Sequence, residues 1–235
     1  MASRNRSVPA ADRVAKPQAR TAAKRVKILE AAMTVFGTRG YNNAALAEIA
    51  EQAGMTHAGV LHHFGSKEGL LVAVLKYRDG EAMAGVAGRE QVEGPAFLPH
   101  LTDTVRDNIK RPGVVQTYAV LSAESVTDGH PAQEYFRGRM AGLRIKLQRV
   151  IGMTTGREVE DDDVRDAASA LIAVMDGLQV QWLLDPQAVD MPRTLALVLD
   201  ELIERLATNE PAPPVSARVD GVLSVGAAQD EPQAS

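Results

Sequence analysis

NNAALAEIAEQAGMTHAGVLHHF, residues 42–64, reads as a helix, a glycine-bearing turn and a second, shorter helix. Leu46, Ile49, Ala50 and Ala53 recur at helical spacing, and the pattern stops at Gly54. Thr56 carries a hydroxyl that can cap the next helix. Val60 and Phe64, one turn apart, form its inward anchor. With Val60 set at zero and about 100° per residue, Leu61 falls near ~100°, Ala58 near ~160°, His62 near ~200° and Gly59 near ~260°. The face away from the core therefore holds two tiny residues, a leucine and a histidine. A helix without bulk on that face can approach another surface closely.

Three of the five histidines, His57, His62 and His63, fall in this stretch. Chelation from one helix needs ligands at i, i+4 or i, i+3. These are five and one apart, and no carboxylate or cysteine completes a set among residues 54–64. No metal and no cofactor is expected. A short helix after a tight turn, with small residues and polar tips outward, has the shape of a recognition helix in a helix-turn-helix.

Composition agrees with that shape. The 235 residues include 26 Lys+Arg and 30 Asp+Glu, and the net charge of −4 hides an asymmetry. Residues 1–80 carry 12 Lys+Arg against 6 Asp+Glu, while the rest carries 14 against 24. A basic first third joined to an acidic remainder suits one part that faces a polyanion while the other repels it. Cysteine is absent, which excludes disulfides, thiolate zinc sites and cysteine nucleophiles. No apolar run reaches about 18 residues, so no membrane partner is expected. The basic N-terminus lacks the apolar core of a secretory signal, and the expected location is cytoplasmic.

Along the chain, residues 1–19 mix Ser, Pro, Ala, Arg and Lys without periodicity and read as a disordered basic arm. Arg4, Arg6, Arg13 and Lys16, with Arg20 just after them, make it either a solvated tail or an arm for a minor groove or phosphates. Residues 209–235 read as a second disordered tail. Between them the punctuation is helical. Val26, Ile28, Leu29, Ala32, Met33 and Phe36 share a face, and the run stops at Gly40. Pro95, Pro112, Pro131 and Pro192 each precede a periodic run, as suits a first helical position, and Gly129 closes the helix before it. The expected fold is all-α, with about nine helices: a three-helix helix-turn-helix domain over 20–78 and a helical domain over 79–208.

The segment from Ile28 to Leu71 resembles the DNA-binding domain of the TetR family of bacterial regulators. The landmarks are the Phe36…Gly40–Tyr41 corner, EIAEQAG, the LHHF end of the second helix, and SKEGLL after it. YAVLSAESVTDGHPAQEYF and DGLQVQWLLDP resemble the C-terminal domain of BetI-type members. The resemblance implies a dimer on double-stranded operator DNA, near-palindromic, released by a small-molecule effector, and no enzyme. It implies base contacts from His57, Ala58 and Gly59, and phosphate or groove contacts from His62, His63 and Lys67. Tyr41 buttresses the domain near the DNA backbone, Thr56 caps the helix, and Leu61 stands where the family usually has a tyrosine. Ala44 and Ala45 replace a threonine pair, leaving Asn43 or free helix amides to meet phosphate.

The later segments carry the remaining expectations. Phe97, His100, Tyr118, Glu124, Met140, Asp176, Gln179 and Trp182 are bulky or polar residues within apolar stripes, and so are effector-pocket candidates. Asp176, inside LIAVMDGLQ, needs a structural partner, a helix end or a ligand. Residues 164–184 are apolar around most of the helix and 193–206 carry a Leu/Val stripe, so Leu171, Val174, Leu178, Leu195, Leu199 and Leu202 are candidates for a dimer interface. Burial in the protomer core accounts for the same pattern. A helical enzyme using His100 or His130, or an adaptor that never meets DNA, are the rival readings; no motif groups a nucleophile, base and orienting acid.

Overall fold

The computed structural model describes residues 10–84 and 92–208. Among them it is all-α, with nine helices and one 3-10 turn at Gly94–Ala96. The helices are α1 (Ala10–Asn43), α2 (Leu46–Gln52), α3 (His57–Phe64), α4 (Lys67–Ala84), α5 (Phe97–Asn108), α6 (Pro112–Glu124), α7 (Gln133–Thr155), α8 (Asp162–Leu184) and α9 (Met191–Thr208). Residues 1–9 of the expected arm and the tail from Asn209 lie outside the described residues. Residues 10–19 lie within the first turns of α1, which runs Ala10–Asn43.

The periodic residues turn inward nearly as read. Ile28, Ala32, Phe36 and Ile49 are fully buried, whereas Val26 is 37% exposed at the edge of the stripe. Gly40 adopts φ 72°, which kinks α1 before its last turn. Pro112 opens α6 and Pro192 is the second residue of α9; Pro95 sits in the 3-10 turn, and Pro131 lies two residues ahead of α7. Gly129, at φ 76°, belongs to the turn beyond α6, which ends at Glu124.

Two cores organise the molecule. One gathers α1–α4 and also takes Tyr118 and Leu121 from α6 and Phe136 from α7. The other joins α5–α9 around Leu147, Ile151, Leu171 and Leu195, and Met140 packs against both. The helix-turn-helix unit is therefore seated on the second domain through α1 and α6. Their approach is close: the Thr117 hydroxyl lies 2.9 Å from the Met33 carbonyl oxygen, and a Cβ at Gly37 would fall 2.7 Å from that hydroxyl. α8 has the length and apolar content of a membrane span, and Val164, Ala168, Leu171, Ile172 and Trp182 seat one side of it in the second core.

Candidate nucleic-acid interface

α3 is built as the sequence suggests. The Thr56 hydroxyl accepts the Gly59 N–H at 3.1 Å, a cap worth about 1 kcal/mol. Gly54, at φ 65°, supplies the left-handed residue that turns the chain ahead of it. Val60 is buried and Phe64 packs against the first core, while Ala58 and His62 are exposed on the opposite side and His57 is exposed at the leading end of the helix. Gly59, Leu61 and His63 are half-buried. A Cβ at Gly59 would sit 3.2 Å from the Thr56 hydroxyl and 3.3 Å from Met55 Cε, so the smallest residue suits this position. Arg25 of α1 clamps the far end: its Nη1 donates to the His63 carbonyl oxygen at 2.9 Å, and its guanidinium lies 4.2 Å over the Phe64 ring.

Beside α3, Tyr41 and Lys67 form a small buttress. The Tyr41 hydroxyl donates to Glu68 Oε1 at 3.0 Å, and the Lys67 ammonium stands 4.5 Å over the Tyr41 ring. Lys67 Nζ also donates to the Asn42 carbonyl at 3.4 Å. Burial first, then the Glu68 hydrogen bond, pushes the Tyr41 hydroxyl up to about 12. Burial also lowers the Lys67 ammonium from its usual range, against the pull of Glu68. The Glu68 carboxyl is held below the ordinary range by the Ser66 hydroxyl, its own backbone N–H and the Tyr41 hydroxyl. Asn43 turns its amide back to the Arg39 carbonyl at 3.3 Å, and Ala45, exposed at the cap of α2, offers no side-chain hydrogen bond to that helix.

This arrangement is a helix-turn-helix whose second helix presents a low-relief outer face flanked by a lysine. Residues 28–74 match the family model for bacterial regulatory proteins of the TetR family, and residues 101–208 match that for the C-terminal domain of BetI-type transcriptional repressors. The chain belongs to the TetR family of transcriptional regulators. The HTH-type transcriptional regulator BetI 1 of Chromohalobacter salexigens is 27% identical over 206 residues, covering 83% of this chain and 96% of that protein. A transcriptional regulator from Rhodococcus sp. Rha1 superposes with a TM-score of 0.61 at 22% identity, covering 81% of this chain and 99% of that one. The SmeT–triclosan complex superposes with a TM-score of 0.62 at 20% identity, covering 77% and 90%. These two likenesses concern the fold. The family's members are transcriptional regulators rather than enzymes.

In this TetR-family chain the pocket candidates do not gather in one place. Tyr118 and Asp176 come together: the tyrosine hydroxyl and the Arg139 and Arg78 charges oppose the burial that raises the Asp176 carboxyl above its ordinary value. Burial raises the Tyr118 hydroxyl as well. Asp176 thus has the structural partner its position demanded. Phe97 is buried under the Lys146 ammonium, 3.8 Å from its ring, with His100 beside it at 6.1 Å. Gln179 and Trp182 are buried along α8, and the Gln179 Oε1 atom has no hydrogen-bond partner among the described residues. Glu124 stands apart, at the end of α6 against Tyr41.

Sequence reasoning passed over Arg78 and Arg139. Arg78 is 4% exposed and lies 4.3 Å from the Tyr118 ring centre; Arg139 approaches the same ring at 5.4 Å. Asp79 Oδ1 accepts from both arginines, at 3.2 and 2.9 Å, and its Oδ2 accepts the Tyr135 hydroxyl. This charged knot ties α4 to α7. Its signal was present: Arg78 continues the Leu71, Val74, Leu75 stripe, so a charge sat on an inward face.

The dimer candidates lie mostly inside the protomer. Leu171 and Leu195 are fully buried within the protomer, and Leu178 and Leu199 are 5% and 6% exposed. They face the protomer's own core, because the inward stripes of α8 and α9 meet each other and α7. Val174 and Leu202 remain half-buried at its margin. The surface left outward on these helices carries Val180, Leu184 and Leu197, at 49%, 83% and 62% exposure.

Proposed function

We propose that this chain is a ligand-responsive repressor that acts in the cytoplasm as a homodimer on near-palindromic operator DNA and is released by a small molecule. The observation that carries the reading is the outer face of α3. Ala58 and His62 stand exposed opposite buried Val60 and His57 is exposed at the leading end of α3, with Lys67 on its tyrosine platform at the start of α4. Small residues let the helix enter the major groove, imidazoles supply donors and acceptors for base edges, and Lys67 supplies a phosphate contact. His63, closer to the core side, is placed for the DNA backbone. Asn43 and Ala45, exposed at the α1–α2 corner, are further candidates for a DNA backbone contact.

Dimerisation through the outward residues of α8 and α9 supplies the second recognition helix. Half-sites then lie about one DNA turn apart, roughly 34–36 Å, or a multiple of that. The effector acts in the second domain, near Tyr118, Asp176, Gln179 and Trp182, where apolar walls carry a few polar groups. The SmeT structure, with its bound triclosan, supports a small organic molecule as the kind of effector this fold accepts. An effector that frees DNA must bind the two arrangements unequally, since equal binding shifts nothing.

The test is selection of fragments from sheared genomic DNA by the purified protein, followed by mobility shift at stated salt. Enrichment of discrete fragments sharing an inverted repeat is expected. Uniform recovery of the genome, or none, would defeat the proposal.

A further inference from the structure

Lys67 has two footholds, the Tyr41 ring and the Asn42 carbonyl, and both belong to the two residues after Gly40. What fixes those residues lies in the other half of the chain. The Tyr41 N–H donates to Glu124 Oε2 at 2.7 Å, across 83 positions of sequence. Gly40, at φ 72°, is in the left-handed region, and a Cβ there would lie 2.1 Å from Glu124 Oε1. The carboxylate fills the space that a side chain at position 40 would need, so Gly40 and Glu124 fit only each other.

His130 backs this contact. Its Nδ1 accepts the Ala132 N–H at 3.2 Å, which leaves Nε2 as the protonated nitrogen of a neutral ring. That Nε2 is buried without a hydrogen-bond partner and faces Glu124 Oε2 at 3.8 Å. The same ring meets Tyr41 edge-on, with centroids 5.2 Å apart. Tyr41 is thus held at its N–H by Glu124, at its ring by His130 and Lys67, and at its hydroxyl by Glu68.

We infer that Glu124 and His130, both in the second domain, are positioning residues for operator binding: they hold the Gly40–Tyr41 corner and, through it, the Lys67 ammonium in place for a phosphate. The inference rests on the DNA-binding function proposed above. Its physical basis is that an N–H bond to a carboxylate is about twice as strong as a neutral one, so the end of α6 governs where the corner sits. A shift of α6 then moves a phosphate contact directly, without first repacking α3.

The test is a double-variant cycle on the genomic fragment that the wild-type protein selects, read as affinity against salt. Glu124→Ala is expected to weaken binding about tenfold, and Glu124→Gln, which keeps an oxygen for the Tyr41 N–H, to stay within about threefold of wild type. Glu124→Ala should make the salt slope shallower by about one, as Lys67→Ala does. The double variant should be no shallower than Lys67→Ala alone, because both act through one contact. Should Glu124→Ala not fold, His130→Asn replaces it; the amide oxygen can accept the Ala132 N–H, but nothing then backs the carboxylate, and the same shallower slope is expected. A folded variant with the wild-type slope, or slope losses that add in the double variant, overturns the inference. A wild-type protein that selects no fragment defeats the DNA-binding reading instead, which is a separate result.

Discussion

Arg25 donates to the carbonyl oxygen of His63 at 2.9 Å, joining α1 to the last turn of α3 across 38 positions. The carbonyl is one of those a helix leaves unpaired at its C-terminus, and a cation there also suits the helix dipole. The same guanidinium covers the Phe64 ring. The recognition helix is therefore clamped at both ends, by Thr56 at its start and Arg25 at its finish. Arg25→Ala should cost about 1 kcal/mol of stability in urea unfolding, the sum of a partly exposed hydrogen bond and a cation–π contact. Affinity should fall for every DNA sequence alike, because the helix loses orientation rather than a base contact. A change in base preference would show instead that Arg25 reads bases.

Lys67 and His57 should separate cleanly. Lys67→Ala should weaken binding to all duplexes and reduce the salt slope by about one. His57→Ala should alter which base is preferred at one position in each half-site, by roughly 1–3 kcal/mol, with an unchanged slope. Selection from a randomised duplex library reads both effects. A slope change for His57→Ala would move that residue from base edge to phosphate.

The charged knot beneath Tyr118 differs from the surface ion pairs. Removing Arg78, the buried member, leaves the half-buried Asp79 with Arg139 and Tyr135 but without its inner partner, and loses a cation from the Tyr118 face. Arg78→Ala should therefore cost about 3 kcal/mol or more. Arg137→Ala, which breaks an exposed pair with Glu134, should cost less than about 1 kcal/mol. Equal losses in chemical unfolding would mean that burial of the knot has been misjudged.

Asp176 makes a pH prediction. Burial raises its folded-state pKa above the unfolded value, so the folded protein holds this proton more tightly. The penalty is absent at pH values below the unfolded pKa, near ~3.9, and grows as pH rises through the raised folded value. Asp176→Asn should thus be more stable than wild type at pH 7, and the difference should shrink as pH approaches 4. A difference independent of pH in thermal unfolding would show that burial of the Asp176 carboxyl does not destabilise the fold.

The partner surface can be tested by charge placement. Leu197→Glu or Val180→Glu, on the outward side of α9 or α8, should give folded monomers, because a lone charge at an apolar contact costs several kcal/mol, at about the scale of buried ions. Leu195→Glu strikes the protomer's own core and should give no folded protein. Folded dimers of both surface variants in analytical ultracentrifugation would place the interface elsewhere.

Some of this was legible in the chain and some was not, for a physical reason. Periodicity shows which side of a helix turns inward, so Ile28, Ile49, Val60 and the exposed face of α3 could be read directly. It does not show which distant element that side meets. The Arg25–His63, Tyr41–Glu124 and Asp79–Arg139 contacts join residues 38, 83 and 60 positions apart, and no local spacing encodes them. α8 marks the limit most clearly. Apolar over most of its circumference, it did not reveal that Leu171 and Leu178 serve the core while Val180 and Leu184 face outward. Glu124 was read as a pocket residue because it lies in an apolar stripe; its partner is the backbone of a helix end in the other domain.

The central claim, sequence-specific recognition of DNA by α3, is tested most directly by one binding titration. The fragment selected from the genome is compared with a scrambled duplex of equal length and composition at physiological salt. Preference for the selected fragment by at least about 10³-fold is expected, since specific sites exceed non-specific binding by that much or more. Equal affinity for the two duplexes would contradict the account.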